Sequence, residues 1–296
     1  PARVAWTFAA VSVSIEGMSC CPPGSAPYLA ADHKDEGGVA EAGGVKYYQV
    51  GSGEVGLLIL PDVFGWNGGR CRALADEFAK KGLAVFVPKA LPAHDGGTDD
   101  DGLPPNFSIK ERGSELGPLF KGAWGAKEAV PRHTKVVEAM RTSGVKKFGV
   151  IGICLGTWHA MHLSQAVPGE ELVCAAGPHP SAHIEGMLGG DPCELGNTCG
   201  CPWAFFPCGE PGEGGGDPAI YDKDGALYMN LEARFPGKNM TKRYAKMIHG
   251  FITRGAYKEG DFSNAGAGDE VKVAVQECVE DIARFFETHG LIGASA

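Results

Sequence analysis

Short apolar runs alternate along the chain with stretches of helical period. Val45–Val50, the continuous run Val55-Gly56-Leu57-Leu58-Ile59-Leu60, Ala84–Pro88, Phe148–Ile153, Leu172–Gly177 and Trp203–Pro207 read as strands. Unbroken apolar runs of this kind suit strands buried on both faces. Between them lie helical stripes. Over residues 69–81, Leu74, Phe78 and Lys81 share a face with Ala75 beside them, and Gly82 suits the position just past the helix end. Val130, Val137 and Met140 mark a helix closed by Gly144. Further helices are expected from about Thr157, over 223–235, and over 269–289, where Val271, Val275, Cys278, Ile282, Phe285 and Phe286 form one apolar face. Lys242–Ile248 alternates like a strand. Strand and helix in alternation predict an α/β fold, a mostly parallel sheet with helices on both faces. No repeat and no long polar linker divides the chain. It reads as an extended arm over residues 1–44 and a single domain over residues 45–296.

Three stretches break the rhythm. Residues 89–126 carry Asp95, Asp99–Asp101 and Pro104-Pro105 and read as a long irregular loop, a cap over the site. Residues 185–201 are rich in Gly and Cys and also read as irregular. Gly209–Asp217 is a glycine-rich loop. The first seventeen residues hold a short apolar patch after Arg3. Met18 offers a natural start, so this segment reads as upstream or appended sequence, with organelle targeting left open.

Candidate chemistry centres on Gly152-Ile153-Cys154-Leu155-Gly156, the cysteine form of a nucleophile elbow. A strained strand-to-helix turn needs small residues two positions either side of the nucleophile. It also puts Cys154 at a helix N-terminus, where the dipole favours a thiolate and free N–H groups can bind an oxyanion. In a parallel sheet, function sits at the carboxyl ends of the strands. Asp62, Cys154, Asp217 and His249 all fall there, in the order nucleophile, acid, histidine that α/β-hydrolases use. His249 is expected to act as base, Asp217 to hold the imidazole, and the N–H groups of Leu155 and Val63 to form the oxyanion hole. The insertion before Asp217 also offers Glu210 and Glu213 as the acid.

These residues resemble the dienelactone hydrolase family. The likeness covers most of residues 18–290. It rests on Asp62-Val63-Phe64-Gly65, the Cys154 elbow, Gly216-Asp217-Pro218 and His249-Gly250-Phe251, with Ser19-Cys20-Cys21-Pro22-Pro23 and His179-Pro180-Ser181 similar to eukaryotic members. The resemblance implies a single-domain α/β-hydrolase fold and a Cys-His-Asp triad that opens a lactone or small carboxylic ester through an acyl-enzyme. It implies that Asp62 gates the thiol, where bacterial members often carry Glu, and that Arg254 meets a substrate carboxylate. A second expectation keeps the fold but makes Cys154 an oxidisable thiol of a redox-sensing or ligand-binding protein.

Composition narrows the partners. With 27 Lys and Arg against 36 Asp and Glu, the net charge of −9 gives no basic stripe for nucleic acid. No apolar run is long enough to span a membrane. Ten cysteines at irregular spacing in a chain of 296 residues fit a reducing, cytoplasmic setting better than a disulfide scaffold. His159 and His162 lack a third ligand, and Cys193, Cys199, Cys201 and Cys208 lack the paired spacing of common zinc sites. No metal and no cofactor is therefore expected, and the partner is a small ester or lactone acting on a monomer or homodimer.

Overall fold

The computed structural model describes residues 33–104, 106–212, 216–254 and 269–293. Eight strands form one sheet: β1 Gly38–Ala42, β2 Val45–Val50, β3 Val55–Leu60, β4 Ala84–Pro88, β5 Lys147–Gly152, β6 Leu172–Pro178, β7 Trp203–Phe206 and β8 Met240–Thr241. Their order is β1-β2-β4-β3-β5-β6-β7-β8, antiparallel at β1–β2 and β2–β4 and parallel elsewhere. Leu57–Leu60 and Val85–Val87 are fully buried, as their unbroken apolar runs require. Helices α1 Cys71–Ala79, α4 Ala126–Thr142, α5 Leu155–Ala166, α8 Ala226–Arg234 and α10 Asp269–Thr288 cover the sheet. The six apolar residues expected on the inner face of α10 are all buried.

The order of strands places the site. From β3 the chain moves to one side to form β4, then returns to the other side for β5, β6, β7 and β8. Beyond the carboxyl ends of β3 and β5 the topology therefore switches, and a crevice opens where ligands bind in open α/β sheets. Leu60 pairs with Gly152 across these two strands, so the loop after β3 and the turn after β5 leave the sheet side by side.

Four sequence expectations differ from the structure. Residues 38–42, placed in the arm, form the edge strand β1, whose pairing with β2 supplies order that a weakly periodic sequence does not announce. The segment 89–126 contains short helices α2 Ile109–Arg112 and α3 Leu116–Lys121, the first capped by Ser108, whose hydroxyl accepts the Glu111 N–H at 3.3 Å. Residues 185–201, read as irregular, contain the end of α6 Ile184–Met187 and the whole of α7 Pro192–Thr198. Asp191 caps α7 through the Cys193 N–H at 2.8 Å, and Pro192 occupies its first turn. The strand expected over 242–248 is only β8, Met240–Thr241. Past it a bridge at Tyr244 and a turn closing Met247 on Tyr244 end the ladder. No helix among the described residues is long and apolar enough to cross a membrane.

Candidate active site

Cys154 leaves β5 with φ 52° and ψ −115° and stands before the first turn of α5. A non-glycine residue at positive φ is strained, and here the strain turns the thiol off the sheet edge. The flanking glycines follow from close approach. A Cβ on Gly156 would fall 2.1 Å from the Leu60 carbonyl oxygen, and one on Gly152 would fall 2.6 Å from the Gly156 carbonyl oxygen. Cys154 is fully buried. The Ser181 hydroxyl donates to its sulfur at 3.4 Å.

β7 and β8 run side by side, so the segments that follow them converge. Asp217 follows β7, and one of its oxygens takes the ring Nδ1–H of His249 at 2.7 Å. Its other oxygen accepts the Cys208 N–H at 2.8 Å. Both acid and histidine are nearly inaccessible, at 2% and 3% exposure, which strengthens their interaction. Glu210 is exposed at the surface, while Glu213 lies outside the described residues. Burial disfavours the imidazolium of His249, but the neighbouring Cys154 and Asp217 outweigh it and push the pKa well above the ordinary histidine value.

A second histidine completes the crevice. His179 follows β6 at φ 35°, fully buried, with its ring edge-on to that of His249 at 4.7 Å between centroids. Ligand atoms of Cys154, His179 and His249 all lie within 4.8 Å of one another. Burial lowers the pKa of His179, so the two neighbouring rings are shifted in opposite directions. Sequence reasoning gave His179 and Ser181 no role. The signal available was their place directly after a buried strand, at the same sheet edge as the elbow.

Asp62 and Arg254 are brought together. The Asp62 carboxylate accepts the Phe64 N–H at 2.9 Å and the Thr253 hydroxyl at 3.0 Å, and pairs with Arg254 Nε at 3.2 Å. Arg254 is fully buried in the short helix α9 Phe251–Arg254, its guanidinium 5.1 Å from the centre of the Phe64 ring. The pair joins the loop after β3 to the His249 segment. The Phe64 N–H is committed to Asp62. Leu155 opens α5, where an N–H has no carbonyl four residues back in the helix. Arg254→Met is expected to leave Asp62 buried without its counter-charge and to lower stability by about 3–5 kcal/mol. Urea unfolding of wild type and variant measures this, and a change within about 0.5 kcal/mol would show that the pair carries no such weight.

The segment after β4 buttresses the same loop through Asp101, which accepts the Trp66 and Leu91 N–H groups, each at 2.8 Å. Burial raises the Asp101 pKa to about 7 against the lowering effect of those bonds. The folded state therefore binds this proton more tightly than the unfolded chain, whose carboxyl titrates near about 3.9. The resulting stabilisation is complete below the unfolded value and is lost as pH rises through about 7. Asp101→Asn is expected to remove this downward slope between about pH 5 and about pH 7.5 in unfolding free energy. Parallel slopes in both proteins would assign it to other groups.

Other histidines singled out in the sequence have partners outside the elbow. His159 bonds the Trp124 carbonyl at 2.9 Å and lies 3.3 Å from His133, and His162 pairs with Glu185 at 2.8 Å. Cys193, Cys199, Cys201 and Cys208 are free thiols. Cys20 and Cys21 lie outside the described residues.

Residues 45–191 match the model of the Dienelactone hydrolase family. That segment contains Asp62, the elbow and His179, and it ends before Asp217 and His249. No curated protein sequence matches the chain. Among solved structures, a Klebsiella pneumoniae protein assigned as a dienelactone hydrolase is similar at a TM-score of 0.59 and 13% identity, over 84% of this chain and 97% of that one. A protein named m3DLH gives 0.57 and 18%, over 86% and 98%. Est1E of Butyrivibrio proteoclasticus, solved with ferulic acid bound, gives 0.51 and 10%, over 84% and 99%. At these identities the structures share the α/β-hydrolase fold. Residues 45–191, just under half of the chain, thus carry the sequence pattern of the dienelactone hydrolase family.

Proposed function

We propose that this protein hydrolyses a small carboxylic ester or lactone, with Cys154 as nucleophile, His249 as acid–base and Asp217 as the group that orients it. The observation that carries the reading is the buried line from carboxylate to imidazole to thiol. Asp217 takes Nδ1–H of His249 at 2.7 Å, and a His249 nitrogen lies within 4.8 Å of the Cys154 sulfur, at the strained turn of an elbow. With Nδ1 committed to Asp217, the other ring nitrogen serves the thiol. The Cys154 proton passes to His249, and the sulfur attacks the carbonyl carbon. Charge collects on the carbonyl oxygen, where the N–H groups of Leu155 and Val63 receive it. Collapse breaks the ester C–O bond, and His249 returns the proton to the leaving oxygen. In a lactone that oxygen remains tethered to the acyl group. His249 then takes a proton from water as it attacks the thioester, and hydrolysis frees the sulfur.

In this reading Arg254 also faces a substrate carboxylate, sharing its charge with Asp62, and Asp62 restrains the resting thiol through its hold on that arginine. The family match supports ester or lactone chemistry, since it covers the elbow and the Asp62 loop. The test compares kcat/KM on an activated neutral ester and on a lactone bearing a carboxylate, in wild type and Arg254→Met. Turnover of both by wild type, with a selective loss on the anionic lactone in the variant, is expected. Absence of turnover on either substrate class would overturn the reading. Equal losses on both substrates would remove the carboxylate-binding role of Arg254.

A further inference from the structure

We infer that Cys154, His179 and His249 form a reversible binding site for a divalent transition-metal ion of the Zn²⁺ type, which switches hydrolysis off by occupying nucleophile and base together. The inference rests on the proposed role of Cys154 and adds a regulatory ligand to it.

Three observations converge. First, one ligand atom from each of the three residues lies within 4.8 Å of the other two, all buried. Tetrahedral Zn²⁺, at about 2.3 Å from sulfur and about 2.0–2.1 Å from nitrogen, holds such atoms roughly 3.3–3.6 Å apart, so binding draws the three atoms together from separations of at most 4.8 Å. One thiolate and two imidazoles suit a borderline-soft ion and disfavour Mg²⁺ or Ca²⁺. Second, His249 already has its outer support. The 2.7 Å bond from Nδ1 to Asp217 fixes the ring and its tautomer, as a carboxylate–histidine–metal unit requires. Third, His179 is fully buried, and neither ring nitrogen is satisfied at hydrogen-bonding geometry among the described residues. A buried polar group left in that state is costly unless a partner arrives, and this ring stands against the thiol.

The other clusters of metal-ligating side chains lack these features. Asp217, Cys208 and His249 lie equally close, but both Asp217 oxygens are taken, one by His249 and one by the Cys208 N–H. His94, Asp95 and Glu115 lie toward the surface, where Arg112 pairs with both carboxylates.

The test is a titration of the full chain with Co²⁺, whose thiolate charge-transfer band reports a sulfur ligand, and equilibrium dialysis with Zn²⁺. Ester turnover is followed in parallel. One ion per chain with a sulfur band, and inhibition that tracks occupancy and reverses with a chelator, is the expected result. His179→Ala, with His179→Gln as a second variant in case the first fails to fold, should weaken Zn²⁺ binding by about 100-fold or more. Loss of even an outer-shell partner costs about 10–100-fold. Cys154→Ala should lose the sulfur band. Absence of one-to-one uptake, or uptake and band unchanged in both Cys154→Ala and the His179 variant, would overturn the inference. The two readings fail separately. Retained turnover in Cys154→Ala would reject the nucleophile, whereas lost turnover with wild-type metal uptake would reject the metal site alone.

Discussion

Cys154→Ala is expected to lower kcat for an activated ester by about 10⁴–10⁶-fold while leaving the far-UV spectrum and unfolding midpoint close to wild type. The size follows from the role. Without the sulfur there is no acyl-enzyme, and only the oxyanion donors and binding remain. The structure also states what should not change. Alanine fills less of the buried elbow than cysteine, but the positive φ of residue 154 is held by β5, by α5 and by the close contact of Gly156 with Leu60. The same variant carries an electrostatic signature. The charge at Cys154 is the largest of the influences that raise the His249 pKa against the opposing cost of burial. Its removal should lower the His249 pKa, read from the ring protons by NMR. An unchanged titration would mean that sulfur and imidazole do not communicate.

Asp217→Asn is expected to lower kcat by roughly 10³–10⁴-fold with little change in KM. Asparagine keeps the shape but loses the charge that favours the imidazolium, and it can turn its own N–H₂ toward His249. The ring would then present the wrong tautomer to the thiol. The Cys208 N–H would also lose a charged acceptor, so a modest loss of stability is expected alongside. Glu210→Gln should leave kcat unchanged, because that side chain is at the surface. A large effect at Glu210 with a small one at Asp217 would show that the insertion before Asp217 supplies the acid in solution.

How far the sequence anticipated this arrangement depended on the range of the interaction. The elbow was legible because its constraint is local. Gly152 and Gly156 are needed by contacts within the turn and with the strand beside it. The buried strands were legible because parallel strands covered on both faces leave no polar alternation. Asp217 and His249 could be placed at strand ends, and their meeting follows from β7 lying beside β8. The Asp62–Arg254 pair was not legible, since 192 positions separate its members and either residue alone is compatible with an exposed loop. His179 was quoted for the family likeness but given no role, because the feature that marks it, a positive φ in a fully buried ring beside the thiol, leaves no trace in composition or period. The short helices α6 and α7 escaped a search for periodic stripes, although Asp191-Pro192 carries the signature of a helix start.

The account stands on covalent catalysis by one thiol. Its most direct test is rapid quenching of the enzyme with an excess of activated ester, followed by mass analysis of the intact chain and of its peptides. The predicted result is a transient gain of one acyl mass on the peptide carrying Cys154, forming and decaying at rates consistent with turnover. Turnover with no acyl mass on that peptide, or with the acyl group on another residue, would contradict it.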